Sequence, residues 1–189
     1  MKLESTPIAD LFVLHRPLRK DDRGAFSRLF GEDDIAAAGR PMNAVHVNTS
    51  TSSKAGTLRG IHFQYPPYSE AKVVACTAGA IWDVGVDLRK DSPTKYQSFG
   101  VELTPENGKS LIIPEGFGHA FITLEPNTTA LYVVSAVYAF DHESGLRFDD
   151  PMLNIEWPIE PTVVSEKDKG WGLLEGRIQE IDKNFLTGK

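Results

Sequence analysis

The sequence has 189 residues, a length typical of one domain, and its 41% hydrophobic and 24% charged residues are typical of a globular protein with a substantial core. The formal net charge of −6 argues against nucleic acid or an anionic membrane surface as a partner. A single cysteine, Cys76, excludes an internal disulfide, and no segment has the apolar length of a signal peptide or membrane span. We therefore expect a cytoplasmic protein with one domain over residues 1–189.

Short apolar runs, broken by glycine, proline and asparagine, predict many strands. Their spacing of about ten residues is typical of an all-β sandwich or barrel. The predicted strands cover residues 11–14, 25–30, 43–48, 57–64, 72–77, 80–88, 96–103, 110–114, 119–124 and 130–138. Residues 31–40 favour an early helix, residues 77–80 resemble a hairpin turn, and the tail from about residue 165 predicts one or two surface helices.

Polar residues recur on one face of several predicted strands, since alternate side chains of a strand share a face. This periodicity predicts that His62, Lys72, His119, Tyr132 and Tyr138 all point inward if their strands close one barrel. A purely structural core has no use for such a polar and aromatic lumen. The pattern therefore indicates a binding or catalytic site inside the barrel.

Two spacings are typical of the cupin barrel, GTLRGIH (56–62) and PEGFGH (114–119). Metal-binding cupins have a second histidine two residues after the first, where this chain has Gln64, a poor metal ligand. A residual metal site from His62 and His119 alone is a minor alternative. The substitution argues against a metal-dependent oxygenase as the function of this chain.

A series of longer motifs, in one order, makes the resemblance more specific. The motifs are DDRGAF (21–26), LRGIHFQ (58–64), WDVGVDLRKDSPT (82–94), IPEGFGHAF (113–121), HESGLRFDDP (142–151), IEWP (155–158) and SEKD (165–168). Over roughly residues 7–172 the chain resembles the dTDP-4-dehydrorhamnose 3,5-epimerase family. The resemblance implies a cupin-type jelly-roll β-barrel that forms a homodimer. It also implies an isomerase without metal or other cofactor, acting on a nucleotide-linked 4-keto-6-deoxyhexose.

The chemistry of such an epimerisation fits the inward residues. A 4-keto group acidifies the protons on C3 and C5, so the reaction needs a base, an acid on the opposite face and a cation near the enolate oxygen. His62 is the expected base, because imidazole titrates near neutral pH. The resemblance pairs His62 with Asp168, assigns Tyr132 as proton donor, and makes Lys72 and His119 substrate contacts that stabilise the enolate.

The resemblance also implies contacts to the nucleotide. Arg23 and Arg59 match diphosphate-binding positions, where the planar guanidinium donates two parallel hydrogen bonds. Strand periodicity places Arg59 opposite His62, unless Gly60 marks a bulge or Arg59 reaches a pocket at the subunit boundary. Tyr138 matches a residue that stacks on the nucleobase. Further matches to substrate-binding positions are Phe26, Glu143 and Lys167.

Two departures from the family bear on the nucleotide. Arg28 stands where the family carries a glutamate, and His46, with Asn48 following it, stands where the thymidine form has glutamine. Arg28 donates hydrogen bonds where a glutamate accepts them. We therefore expect nucleotide selectivity to shift away from thymidine, if Arg28 and His46 line the base pocket.

Three readings of the function follow from these residues. The default is inversion at C3 and C5 of dTDP-4-dehydro-6-deoxy-D-glucose, which gives dTDP-4-dehydro-L-rhamnose for polysaccharide synthesis. One alternative is an epimerase restricted to C3 or C5 on a different nucleotide sugar. Another is a silent cupin that binds a nucleotide sugar without catalysis. Retention of both His62 and Tyr132 argues against the silent cupin, because binding alone needs neither a base nor an acid.

Catalysis is expected to be independent of metal ions, because Gln64 replaces the second histidine ligand. Thorough treatment with a chelator should leave turnover unchanged. Complete loss of turnover that one divalent ion restores would contradict this expectation.

Overall fold

The computed structural model describes residues 1–37 and 39–185. Strands dominate this part of the chain, which confirms the all-β prediction. The strands are β1 Lys2–Ser5, β2 Phe12–His15, β3 Arg19–Asp21, β4 Gly24–Phe26, β5 His46–Ser52, β6 Thr57–Gln64, β7 Lys72–Ala78, β8 Ile81–Asp87, β9 Ser98–Leu103, β10 Lys109–Ile113, β11 Phe117–Thr123, β12 Thr128–Val134, β13 Glu143–Gly145 and β14 Val163–Val164. The α-helices are α1 Glu32–Ala37, α2 Glu166–Lys169 and α3 Ile178–Asn184, and 3-10 turns cover Phe140–His142 and Leu174–Gly176.

The long strands form two facing sheets. The first has the order β1-β2-β10-β7-β12-β5, and the second has the order β13-β6-β11-β8-β9. Nearly all neighbours are antiparallel, whereas β14 joins the edge of β6 in parallel. The hairpin of β3 and β4 belongs to neither sheet. Consecutive strands thus often lie in different sheets, which is the jelly-roll arrangement.

The predicted hairpin turn at residues 77–80 is wrong. β7 pairs with β10 and β12 in the first sheet, whereas β8 pairs with β11 and β9 in the second. Residues 77–80 therefore carry the chain from one sheet to the other. Gly79 adopts a φ of +70° in this crossing. A turn is therefore present at the predicted position, but it leads to the other sheet and not to a neighbouring strand of the same sheet.

Several strand boundaries also differ from the prediction. The strand expected over 25–30 ends at Phe26, the one expected over 43–48 begins at His46 and runs to Ser52, and the one expected over 130–138 ends at Val134. The early helix and the helices after residue 165 are present as predicted. These differences matter because the segment after Val134 carries site residues on irregular backbone.

Three apolar clusters hold the layers together. One fills the space between the sheets and includes Val74, Leu111 and Phe117. A second packs the outer face of the second sheet against the C-terminal segment, and a third packs the outer face of the first sheet against α1. Both outer faces are therefore covered, and the inter-sheet space beyond the first cluster is left to polar side chains.

A bulge in β6 reorients part of that strand. His62 is the register partner of His119, but Arg59 is the partner of Phe121. Three residue steps along β6 therefore lie opposite two steps along β11, which is a β-bulge. Gly60 lies in the bulge with a φ of +125°, and a Cβ there would approach the Ala120 Cβ to 2.4 Å. Only glycine fits this position. Of the two explanations offered for Arg59, the bulge at Gly60 is the one that the structure shows.

Among the residues that the structure describes, no helix combines the length and the apolar composition needed to cross a membrane.

Candidate active site

Two adjoining cavities open between the sheets. The first has a volume of about 450 Å³, and its wall includes Arg59, His119 and Asp168. The second has a volume of about 310 Å³, and its wall includes Asn48 and Tyr138. Three side chains line both cavities, namely His62, Lys72 and Tyr132. The inward group predicted from strand periodicity therefore surrounds one continuous site.

His62 and Asp168 form the central pair of this site. His62 Nε2 lies 2.6 Å from Asp168 Oδ1, and the Gly60 N–H donates to Asp168 Oδ2 at 3.3 Å. The Asp168 side chain is only 4% exposed, whereas the His62 side chain is 33% exposed toward the cavity. The carboxylate is thus held in place behind an imidazole that a substrate can reach.

Electrostatics fix the proton arrangement of the pair. Burial alone would raise the pKa of Asp168, but the hydrogen bond and the positive field of His62, with the Gly60 N–H, outweigh burial and hold that pKa below its ordinary value. The ionised carboxylate accepts the hydrogen bond, so His62 Nε2 carries a proton. Nδ1 is then the nitrogen able to take a proton from a substrate.

The C-terminal segment delivers Asp168 to the site. Val163 and Val164 pair with Thr57 and Leu58 at the edge of β6, directly before α2. The Ser165 side chain caps α2 by accepting from the Asp168 N–H at 3.0 Å. Strand pairing and helix cap together place the carboxylate beside His62.

Lys72 has a partner that the sequence reasoning did not assign. Its Nζ lies 2.9 Å from Glu70 Oε1, and the two side chains are 10% and 15% exposed. Both residues line the second cavity. A glutamate two residues before a lysine is a common surface pattern, so the sequence predicted no role for Glu70.

His119 has its own carboxylate. His119 Nε2 lies 2.8 Å from Oδ1 of Asp83, a fully buried residue that the sequence reasoning also missed. His62 and His119 are therefore neighbours across two strands, and each imidazole Nε2 is bonded to a carboxylate of its own. In residues 1–37 and 39–185, no three His, Cys, Asp or Glu side chains converge as a metal site would require.

Tyr132 faces the cavities from β12 in the opposite sheet. Its ring packs against the inter-sheet core, and burial raises the pKa of its phenol, while Arg59 opposes this shift and Glu70 adds to it. The phenol is therefore protonated at neutral pH. It can donate a proton from the sheet that faces His62.

Arg59 shares the first cavity with His62 because of the bulge. An exposed guanidinium at this point supplies positive charge in a protein whose net charge is −6. Arg59 thus gives the first cavity a local positive charge that favours anions, although the protein is acidic overall.

Some of the predicted nucleotide contacts, Tyr138 and Glu143 among them, line the second cavity. Tyr138 donates its hydroxyl to Glu143 Oε2 at 2.8 Å, and Lys167 Nζ reaches both oxygens of Glu143 at 2.6 and 2.7 Å. His46 and Asn48 line the same cavity from β5. Lys167 lies beside Asp168 in α2 and lines the first cavity, so this short helix contacts both halves of the site.

Arg23, Phe26 and Arg28 line neither cavity. Arg23 is paired with Asp21 at 2.6 Å and its side chain is 90% exposed, and Phe26 is 66% exposed. Arg28 forms an ion pair with Asp34 at 2.9 Å. The structure therefore does not bring these three predicted contacts together with His62 within one chain.

The barrel, the imidazole paired with a buried carboxylate and the opposed phenol are the features expected of a cupin-type isomerase. The family model of dTDP-4-dehydrorhamnose 3,5-epimerase matches residues 5–176. A dTDP-4-dehydrorhamnose 3,5-epimerase of Sinorhizobium fredii is 41% identical over 169 residues, which cover 89% of this chain and 87% of the relative. The chain therefore belongs to the dTDP-4-dehydrorhamnose 3,5-epimerase family.

Two solved structures show the same fold. The dTDP-4-dehydrorhamnose 3,5-epimerase of Bacillus anthracis, with TDP and PPi bound, is 40% identical with a TM-score of 0.88 and covers 92% of this chain and 99% of its own. A 3′-monoepimerase of Streptomyces bikiniensis, in complex with dTDP-quinovose, is 31% identical with a TM-score of 0.85 and covers 93% and 89%. The predicted cupin-type fold is confirmed.

Glu70→Gln should lower turnover by up to about 100-fold, because Lys72 loses the partner that fixes its ammonium group in the cavity. The measurement is kcat together with thermal unfolding. Asp182→Asn is the matched control, since it removes the partner of Lys95 at 2.6 Å in an ion pair that lines neither cavity. Wild-type turnover in Glu70→Gln would contradict the assignment.

Proposed function

We propose that this protein inverts C3 and C5 of a nucleoside-diphosphate 4-keto-6-deoxyhexose, with dTDP-4-dehydro-6-deoxy-D-glucose as substrate and dTDP-4-dehydro-L-rhamnose as product. The observation that carries the proposal is the placement of His62 and Tyr132 on opposing sheets around one cavity. Inversion needs proton removal from one face of the sugar and delivery to the other. The TDP-bound relative supports the choice of nucleotide.

His62 acts as the base. The hydrogen bond to Asp168 holds Nε2–H, so Nδ1 accepts the proton from the carbon next to the ketone. As the imidazole becomes positive, the neighbouring carboxylate stabilises it, which raises its ability to take the proton. The electron pair of the C–H bond forms the C=C bond of the enolate, and the π pair of the ketone moves onto its oxygen.

The enolate oxygen needs positive charge or hydrogen-bond donors. The Lys72 ammonium group on the first sheet lines the first cavity and meets this need, and His119 on the second sheet meets it in its doubly protonated form, in which Nδ1–H can donate. Lys72 is held by the half-buried Glu70 and His119 by the buried Asp83. Preorganised donors of this kind stabilise developing charge without reorganising during the reaction.

Tyr132 returns a proton to the opposite face of the carbon. Its phenol is protonated before the step, because burial raises its pKa. Before the second inversion, the His62 imidazolium releases its proton and the Tyr132 phenolate takes one up, by exchange with solvent, so that both groups return to their starting states. Repetition of this cycle at the second carbon next to the ketone gives the doubly inverted product.

The nucleotide occupies the second cavity in this proposal. Tyr138 stacks on the base, and His46 and Asn48 contact its edge from β5. Arg59 binds the diphosphate from the first cavity, together with an Arg23 that comes from the second subunit of the proposed dimer. The shift of selectivity away from thymidine expected from Arg28 and His46 stays a prediction, and with Arg28 paired to Asp34 it depends on His46 alone within one chain.

A single-carbon epimerase is the second candidate function, favoured by the similarity to a 3′-monoepimerase. The same base, acid and enolate contacts serve either outcome. The two candidates differ only in whether the ring can present its second acidic carbon to His62. Exchange of the C3 and C5 protons with deuterated water, read by NMR, distinguishes them.

We also propose that the protein works as a homodimer in which the β3–β4 hairpin completes the site of the partner. The hairpin joins neither sheet and carries Arg23 and Phe26 exposed, while both match ligand-binding positions of the family. An arginine and a phenyl ring on such a projection suit a phosphate and a base across a subunit boundary.

Substitution of the base and the acid should give different exchange patterns. His62→Ala should lose both inversion and deuterium exchange, because no enolate forms. Tyr132→Phe should still exchange deuterium from the original face, while inversion falls by about 10²- to 10⁴-fold. Deuterium exchange at the wild-type rate in His62→Ala would show that another group is the base, and the absence of all exchange in Tyr132→Phe would contradict its role as acid only.

Mixed dimers test whether Arg23 acts across the boundary. After subunit exchange, equal amounts of Arg23→Ala and His62→Ala should recover about a quarter of wild-type activity, since half of the dimers are mixed and each has one intact site. Arg59→Ala mixed with His62→Ala is the matched control and should recover none, because Arg59 and His62 share one chain's cavity. A fully active monomer in light scattering would contradict the homodimer.

A further inference from the structure

Gln64 takes no part in the proton transfers, yet its side chain is completely engaged. It is 4% exposed, and its Nε2 donates to Tyr68 O at 2.9 Å and to Val137 O at 3.1 Å. Its Oε1 accepts from the Ala139 N–H at 2.7 Å. One amide thus joins β6 to the loop that follows it and to the segment that follows β12.

The two backbone groups that Gln64 binds after β12 lie on either side of Tyr138. β12 ends at Val134, so the sheet no longer supplies backbone partners at Tyr138. Backbone groups that leave a sheet need other partners when they are buried. The Gln64 amide supplies one donor and one acceptor there, and it thereby fixes the backbone that carries the Tyr138 ring.

The strand register adds a second point of attachment. Gln64 is the register partner of Glu143 across β6 and β13. Glu143 accepts the Tyr138 hydroxyl and is itself bound by Lys167. Neighbouring residues of two paired strands therefore hold Tyr138 at its backbone and at its hydroxyl. The ring itself stays 59% exposed and forms part of the cavity wall.

We propose that Gln64 is a positioning residue that orients Tyr138 for stacking on the nucleobase, and so sets affinity for the nucleotide rather than the rate of proton transfer. The inference rests on the proposed function for the identity of the ligand. A ring held in place before binding avoids the entropy cost of ordering it in the complex. The position is also the one where a metal-binding cupin has its second histidine.

Gln64→Met removes all three hydrogen bonds while keeping the length and neutrality of the side chain. Calorimetry should show dTDP binding weakened by about tenfold, since aromatic–base stacking contributes on this scale. Binding of inorganic pyrophosphate, which has no base, should stay within about twofold of wild type. KM should rise in parallel with the loss of dTDP affinity, with kcat within about threefold of wild type.

A double-mutant cycle with Tyr138→Leu tests whether Gln64 acts through the ring. Gln64→Met should weaken dTDP binding no further once the ring is absent. Asn107→Leu is the matched control, because the Asn107 amide also bonds three backbone groups, those of Thr104, Lys109 and Glu102, in a turn that lines neither cavity. It should leave dTDP affinity unchanged. If Gln64→Met does not fold, Gln64→Glu, which loses both donors but keeps the acceptor, replaces it in the cycle.

Wild-type dTDP affinity in Gln64→Met, additive losses in the double variant, or a fall of kcat with constant KM would each overturn the inference. These results are separate from a failure of the proposed function. A wild-type protein that binds dTDP but converts no nucleotide 4-keto sugar would contradict the enzyme assignment, while the binding cycle would still decide the role of Gln64.

Discussion

The active site depends on one extra residue that β6 carries opposite β11. With a regular ladder, Arg59 and His62 would lie on opposite faces, and the anion site and the base would be separated by the sheet. The bulge brings both side chains to one cavity, and it turns the Gly60 N–H toward Asp168. The carboxylate can then bind the bulged backbone and the imidazole together. The bulge in β6 therefore also holds Asp168 beside His62.

The two-sheet architecture divides the chemistry. The second sheet carries the base and His119, and the first carries Lys72 and Tyr132. The inter-sheet core keeps the two sets apart, since it fills the rest of the gap with apolar side chains. Both imidazoles and Lys72 have a carboxylate partner, whereas the Arg59 guanidinium is exposed, so positive charge is placed locally although the chain is acidic overall. A sugar between the sheets is thereby exposed to different chemistry on its two faces.

Strand periodicity predicted much of this site, because the alternation holds locally around His62, Lys72, His119 and Tyr132. It failed where the chain is irregular or the partner is distant. Residues 77–80 have the chemistry of a turn, but local chemistry does not determine which sheet receives the next strand. Asp83 and Glu70 were missed because an acid in a strand or a loop reveals its partner only in the fold. The sequence analysis considered Gln64 only as the replacement of a metal ligand. Two of its hydrogen-bond partners, Val137 and Ala139, lie 73 and 75 residues further along the chain, where the sequence does not reveal them.

The position of Asp168 has a consequence for the order in which the protein acquires activity. The carboxylate lies 106 residues after the imidazole it orients, and it is delivered by a two-residue strand and a four-residue helix. During synthesis, the barrel strands with His62 and Tyr132 leave the ribosome first, while the base still lacks its carboxylate. In the proposed mechanism, His62 gains the carboxylate that orients it only when β14 docks on β6. A chain cut before Ser165 would keep His62 and Tyr132 but lack Asp168.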